Sequence, residues 1–116
     1  MKPRIYHNPR CSKSRATLQL LESRGLQPEI IEYLKTPPAP AALRPLASKL
    51  GVAASSLVRS SDDTFKETGV DLSAATDDEI FRLLAERPKL LQRPIVEVAN
   101  AARIGRPPER VLELFE

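Results

Sequence analysis

The order of signals along the chain predicts an α/β fold: a mixed four-stranded sheet flanked by helices, with a helical insertion between its two halves. Three observations carry this. Residues 3–34 read strand, loop, helix, strand, a unit that implies a parallel pair with a right-handed crossover. The stiff break Thr36-Pro37-Pro38-Ala39-Pro40 is followed by helical patterns alone. Residues 95–115 read strand, turn, strand, helix, and such a hairpin adds antiparallel partners. The chain has 116 residues, which suits a single domain over 1–116.

The first strand is expected over residues 3–7, where Ile5 and Tyr6 are strand formers. Asn8-Pro9 turns the chain. From Ser12 a helical pattern begins in which Ala16, Leu20 and Leu21 can share a face, and Gly25 fits the position just past its end. Ile30, Ile31, Tyr33 and Leu34 read as the second strand. Leu43, Leu46, Ala47 and Leu50 follow the i, i+3, i+4, i+7 spacing of a helix, with Gly51 behind them. Pro45 is awkward there, because proline has no N–H and clashes with the preceding turn; the helix is expected either to start near residue 42 or to kink. Ala53–Val58 and Asp62–Thr68 read as short helices. Thr76-Asp77-Asp78-Glu79 is a capping box opening a helix with the stripe Ile80, Leu83 and Leu84, which Arg87-Pro88 ends. Ile95-Val96-Glu97-Val98 is a strand, Asn100-Ala101 turns, and Arg103-Ile104 begins the returning strand. Pro107-Pro108 opens a final helix holding Val111, Leu112, Leu114 and Phe115. In this order the elements make the thioredoxin-like plan, with several helices inserted.

Composition narrows the function classes. Hydrophobic residues are 41% and charged residues 28%, as in a soluble globular protein. No apolar run approaches the ~20 residues of a membrane span, and the N-terminus shows no apolar signal core. A cytoplasmic location and no membrane partner are expected. Cys11 is the only cysteine and His7 the only histidine, so an internal disulfide is impossible and a Cys/His zinc site is not expected. The net charge of +3 is too small to argue for nucleic acid. Its distribution is more telling: residues 1–21 carry Lys2, Arg4, Arg10, Lys13 and Arg15 and no acid, whereas the remainder sums to −2. The basic excess surrounds the thiol and suggests an anion site beside it.

Cys11 lies among Arg10, Ser12, Lys13, Ser14 and Arg15, a neighbourhood that suits neither a core strand nor a buried stripe. At a helix N-terminus a thiol faces free N–H groups and the positive end of the dipole, and nearby cations add to the preference for thiolate. Ser14 stands where a dithiol motif would have its second cysteine, so an oxidised or bonded Cys11 needs an outside thiol to resolve it. A phosphatase-like loop is absent, since position 17 is Thr17 rather than arginine. His7 could tune the thiolate from across the Asn8-Pro9 turn, but one histidine without an evident acid partner makes no triad. Arg59, Arg93 and Arg106 lie at loop-to-element junctions, where binding groups are often presented, and guanidinium forks match tetrahedral oxyanions.

The run Tyr6-His7-Asn8-Pro9-Arg10-Cys11-Ser12-Lys13-Ser14-Arg15 closely resembles the active-site segment of the glutaredoxin-dependent arsenate reductase (ArsC) family. The likeness continues through Tyr33-Leu34-Lys35-Thr36-Pro37, Leu57-Val58-Arg59, Arg93-Pro94-Ile95-Val96 and Arg103-Ile104-Gly105-Arg106-Pro107-Pro108-Glu109, in order over nearly the whole chain. The resemblance implies that Cys11 is the catalytic cysteine and that Arg59, Arg93 and Arg106 bind the oxyanion. It implies that His7 lies near the thiol, that Ser14 hydrogen-bonds the thiolate with Arg15 following it, and that Pro94 is the cis-proline of thioredoxin-like folds. Arsenate is then the substrate, glutathione the co-substrate and glutaredoxin the partner, with no metal or bound cofactor and a monomeric protein. Two alternatives remain open at this point. One is a glutathione-linked thiol reductase that uses Cys11 without an arsenate role. The other is an RNA polymerase-binding regulator like the Spx relatives of this fold, which typically present a Cys-x-x-Cys switch where this chain has Ser14.

Overall fold

In the computed structural model, which describes residues 2–115, the strands are β1 (Arg4–His7), β2 (Glu29–Glu32), β3 (Ile95–Glu97) and β4 (Ala102–Ile104). They form one sheet in the order β2-β1-β3-β4. β1 runs parallel to β2, with His7 opposite Glu32, and antiparallel to β3, with Ile5 opposite Val96. β4 returns antiparallel to β3. This is the expected mixed, thioredoxin-like sheet. β2 stops two residues sooner than its apolar pattern suggests: Lys35 and Thr36 both donate their backbone N–H to the Glu32 carbonyl at 2.9 Å, closing a turn that takes Tyr33 and Leu34 out of the sheet.

Helix α1 (Ser12–Ser23) follows β1. Its buried face is Ser14, Thr17 and Leu21, whereas Ala16 is exposed and Leu20 only half-buried. The helix is rotated from the apolar stripe because its two inward polar residues are satisfied: the Thr17 hydroxyl donates to the Lys13 carbonyl (2.8 Å) and the Ser14 hydroxyl meets the end of β1. Gly25, at φ 77°, closes α1 in a Schellman motif, with Leu26 N–H on the Leu21 carbonyl and Gly25 N–H on that of Glu22.

The C-terminal segment Pro108–Phe115 is a 3₁₀ helix rather than the expected α-helix. It begins with an Arg110 N–H bond to the Pro107 carbonyl (3.1 Å), and two successive prolines bring no donors of their own. Ile5, Leu21, Val96 and Val111 are fully buried together, with Leu18, Leu20, Leu26 and Leu114 packed around them. Each such burial is worth ~1.5–3 kcal/mol, so this cluster fastens α1 and the last segment to the sheet. Alternate residues of the same strands point the other way. There the Tyr6 hydroxyl donates to Glu97 Oε1 (3.2 Å), both side chains are buried, and Arg4 lies 3.6 Å from the same carboxylate.

These elements belong to one compact unit, made of the residues up to Thr36 and those from Arg93 on. Residues Pro37–Gln92 form a second. It contains α2 (Pro40–Leu50), α3 (Asp63–Glu67), α4 (Asp77–Glu86) and 3₁₀ turns at Ala54–Leu57 and Pro88–Leu90. α2 starts at Pro40, before the expected residue 42, which leaves Pro45 inside the helix with no N–H to offer the Ala41 carbonyl. The capping box of α4 is formed in both directions, Glu79 N–H on Thr76 Oγ1 (3.2 Å) and Thr76 N–H on Glu79 Oε1 (3.0 Å). α4 buries Ile80, Phe81 and Leu84, with Leu83 half-buried, and packs on α2 and both 3₁₀ turns. Phe81 is placed inward with the Arg44 guanidinium over its ring, and Arg44 also pairs with Asp78. No helix among the described residues is long and apolar enough to cross a membrane.

Candidate active site

The thiol sits where β1 hands over to α1. Asn8 shapes this loop: its side-chain oxygen accepts the Arg10 N–H (3.0 Å) and its carbonyl accepts the Cys11 N–H (3.0 Å). An Asx turn of this kind leads directly into the helix. Arg15, one turn into α1, donates from a terminal nitrogen to the Pro9 carbonyl (2.9 Å), so it braces the loop from the helix side.

Cys11 is the N-cap residue of α1, with extended backbone (φ −93°, ψ 122°) and a half-buried side chain. Its sulfur closes no cap hydrogen bond of normal geometry. The N–H groups of Lys13 and Ser14, at the second and third helical positions, nevertheless face it closely enough to act on the thiolate. Burial pushes the Cys11 thiol up; the Ser14 N–H, the Arg93 guanidinium and the Lys13 N–H together push it further down, so it lies below its ordinary value. Alkylation of Cys11 by iodoacetamide is therefore expected to rise with pH along a curve whose midpoint lies below the ~8.5 of a free cysteine. A midpoint at or above that value contradicts an activated thiol.

His7 ends β1 beneath the helix start. Its Nδ1 is 2.6 Å from Ser14 Oγ, which also accepts the Asn8 N–H (3.0 Å). Burial lowers the His7 pKa; Glu32 and Glu22 oppose that, and Arg15 adds to it. The imidazole is thus neutral at neutral pH, and we assign its Nδ1 as acceptor of the Ser14 hydroxyl proton. Ser14 consequently faces the sulfur with its backbone and the histidine with its hydroxyl.

The opposite wall comes from the loop before β3. The Arg93–Pro94 peptide is cis, as the resemblance implied, and Arg106–Pro107 is cis as well. The Arg93 guanidinium is close enough to lower the Cys11 thiol pKa, while its carbonyl accepts Arg106 Nε (2.8 Å). Arg106 is thereby tied to Arg93, and its side chain is exposed. Gly105, between β4 and Arg106, donates its N–H to the Pro94 carbonyl (2.9 Å). A Cβ on Gly105 would lie 2.6 Å from Thr17 Oγ1 and 2.9 Å from Pro94 Cγ. Neither neighbour can yield easily, one being hydrogen-bonded inside α1 and the other a ring. Gly105→Ala is expected to lower the unfolding free energy by about 1–3 kcal/mol, read as a shift in the urea midpoint; an unchanged midpoint refutes the close approach.

The structure thus brings Cys11, His7, Ser14, Arg15, Arg93, Pro94 and Arg106 into one unit. Arg59 belongs to the other, where it follows an antiparallel bridge between Val58 and Leu91, donates its N–H to the Leu90 carbonyl (2.7 Å) and faces Asp62 at 3.9 Å. Three residues at the site are not singled out by the sequence as candidates. Asn8 reads as a turn residue, Tyr33 as a strand former, and Gly105 is only one member of the resembling segment that holds Arg106. Tyr33 is instead fully buried just beyond β2, with Arg93, Cys11 and Asn8 close enough to influence its hydroxyl. Among the described residues no group of three or more His, Cys, Asp or Glu could hold a metal ion.

Comparison with known proteins matches residues 6–114 to the ArsC family. An arsenate reductase of Neisseria meningitidis is 47% identical over 109 residues, covering 93% of each chain. The uncharacterized protein YfgD of Escherichia coli is 47% identical over 112 residues, covering 96% of this chain and 94% of its own. The solved structure of an arsenate reductase from Vibrio cholerae superposes with a TM-score of 0.93 at 46% identity, covering 97% of both chains.

Proposed function

Because the chain belongs to the ArsC family, we propose that it is an arsenate reductase that works through Cys11 and draws its electrons from glutathione and glutaredoxin. The observation that carries this reading is the pairing of one thiolate-favouring cysteine with the Arg93 guanidinium at a helix N-terminus. Arg93, with Arg106 beside it, holds the tetrahedral oxyanion, and the family motif counts Arg59 among the oxyanion-binding arginines. The Cys11 thiolate attacks arsenic and displaces an oxygen, which leaves as water after protonation; arsenic remains pentavalent. A glutathione thiolate then attacks the Cys11 sulfur. The sulfur–arsenic bonding pair goes to arsenic, which departs as trivalent arsenite, and the two sulfurs are left as a mixed disulfide. Glutaredoxin attacks the glutathione sulfur and frees Cys11. An outside thiol is required because Cys11 is the chain's only cysteine.

The test is arsenate-dependent NADPH consumption coupled through glutathione reductase, with arsenite measured as product. Turnover with glutathione and glutaredoxin, and little with thioredoxin alone, is the expected result. Thiol transfer from glutathionylated substrates without arsenate-dependent NADPH loss would replace this reading with that of a glutathione-linked thiol reductase.

A further inference from the structure

Tyr33 is fully buried, and its hydroxyl meets no partner at hydrogen-bonding geometry. Buried hydroxyls are nearly always satisfied, so one that is not asks for an explanation. Its setting supplies one. β2 ends at Glu32, and the turn through Lys35 and Thr36 points the next residue inward instead of continuing the strand. The groups that act on the phenol are Arg93, Cys11 and Asn8, which are also those that build and face the thiol. Burial raises the Tyr33 pKa, and Arg93 opposes this, so the phenol keeps its proton at neutral pH and is a donor. A donor beside a guanidinium and a thiolate is matched by an acceptor that is itself anionic.

We propose that Tyr33 is a binding residue, its hydroxyl donating a hydrogen bond to the tetrahedral oxyanion that Arg93 holds beside Cys11. The inference rests on the oxyanion reading of the site but not on arsenic being reduced there. It also explains why a tyrosine rather than a phenylalanine fills a fully enclosed position: the ring supplies packing and the hydroxyl supplies recognition.

Tyr33→Phe separates the two roles, since it keeps the ring and removes only the oxygen. Two anions serve as probes, arsenate and the non-reducible sulfate, each measured by its protection of Cys11 from iodoacetamide. The expected result is at least a tenfold weaker protection by both anions in the variant, the loss typical of one hydrogen bond to a charged group. KM for arsenate should rise with it, while the thermal midpoint stays equal to that of the wild type or higher. A structural tyrosine gives the opposite: a lowered midpoint with protection unchanged, which overturns the proposal. Absence of anion protection in the wild type overturns it too. If the wild type binds both anions but reduces no arsenate, and Tyr33→Phe still weakens protection, the reductase reading fails and the Tyr33 assignment stands.

Discussion

Cys11→Ser protein is expected to show no arsenate-dependent NADPH consumption, a loss on the order of 10⁴-fold or more, as when other enzymes are stripped of their nucleophile. The substitution is nearly isosteric at an N-cap, where serine is a favoured residue, so the helix start should survive and circular dichroism should be unchanged. What disappears is sulfur chemistry. A serine hydroxyl is not ionised at neutral pH and cannot enter the thiol exchange by which, in the proposed mechanism, electrons pass from glutathione to arsenic. Residual turnover well above the uncatalysed rate would mean that another group attacks arsenic.

Arg93→Ala should produce the second largest effect, a fall in kcat/KM of roughly 10²–10³-fold, because the guanidinium has two tasks. In the proposed mechanism one is to hold the oxyanion; the other is to favour the Cys11 thiolate, since Arg93 pushes its pKa down. The tasks separate by pH. Without Arg93 the thiol pKa rises, the thiolate fraction at pH 7 falls, and that share of the loss is recovered as pH is raised through the new pKa. The share due to oxyanion binding is not recovered. Arg93→Lys keeps a charge but loses the planar fork, so it should restore ionisation of Cys11 better than it restores KM. An alanine variant as active as the wild type at every pH would remove Arg93 from the site.

The parts of this fold legible in the sequence are those that backbone chemistry dictates. Gly25 closes α1, and Thr76 with Glu79 opens α4, because each satisfies helix-end groups that any helix must satisfy. The parallel pairing of β1 with β2 and the antiparallel hairpin of β3 and β4 followed from connectivity. The illegible parts are those decided by individual side-chain contacts that periodicity does not report. Periodicity assigns the inward face of α1 to apolar residues, yet Ser14 and Thr17 point inward, one to His7 and one to its own helix. Tyr33 looks like a strand residue until the bonds to the Glu32 carbonyl end β2 before it. Gly105 has an ordinary backbone conformation, and only the approach of Thr17 and Pro94 shows why a side chain does not fit. Cys11 was readable from its basic neighbours, whereas Arg93, whose guanidinium helps the Ser14 N–H to lower its pKa, lies more than eighty residues away in sequence.

The enclosure of Tyr6 beside Glu97 gives the protein an alkaline limit and an optical signal for it. Burial, and after it the neighbouring carboxylate, pushes the Tyr6 phenol up to about 12. An unfolded chain releases that proton near pH 10, so the folded state is progressively disfavoured as pH climbs from about 10 to about 12, by roughly 2–3 kcal/mol in all. Tyr33, also raised, acts in the same direction. The chain has two tyrosines and no tryptophan, so its near-ultraviolet absorbance belongs almost entirely to these two rings. Tyrosinate absorbance should therefore appear in step with the collapse of the sheet rather than before it. Below that transition both rings stay protonated, which leaves the ultraviolet absorbance of the Cys11 thiolate free of interference over the range in which Cys11 titrates.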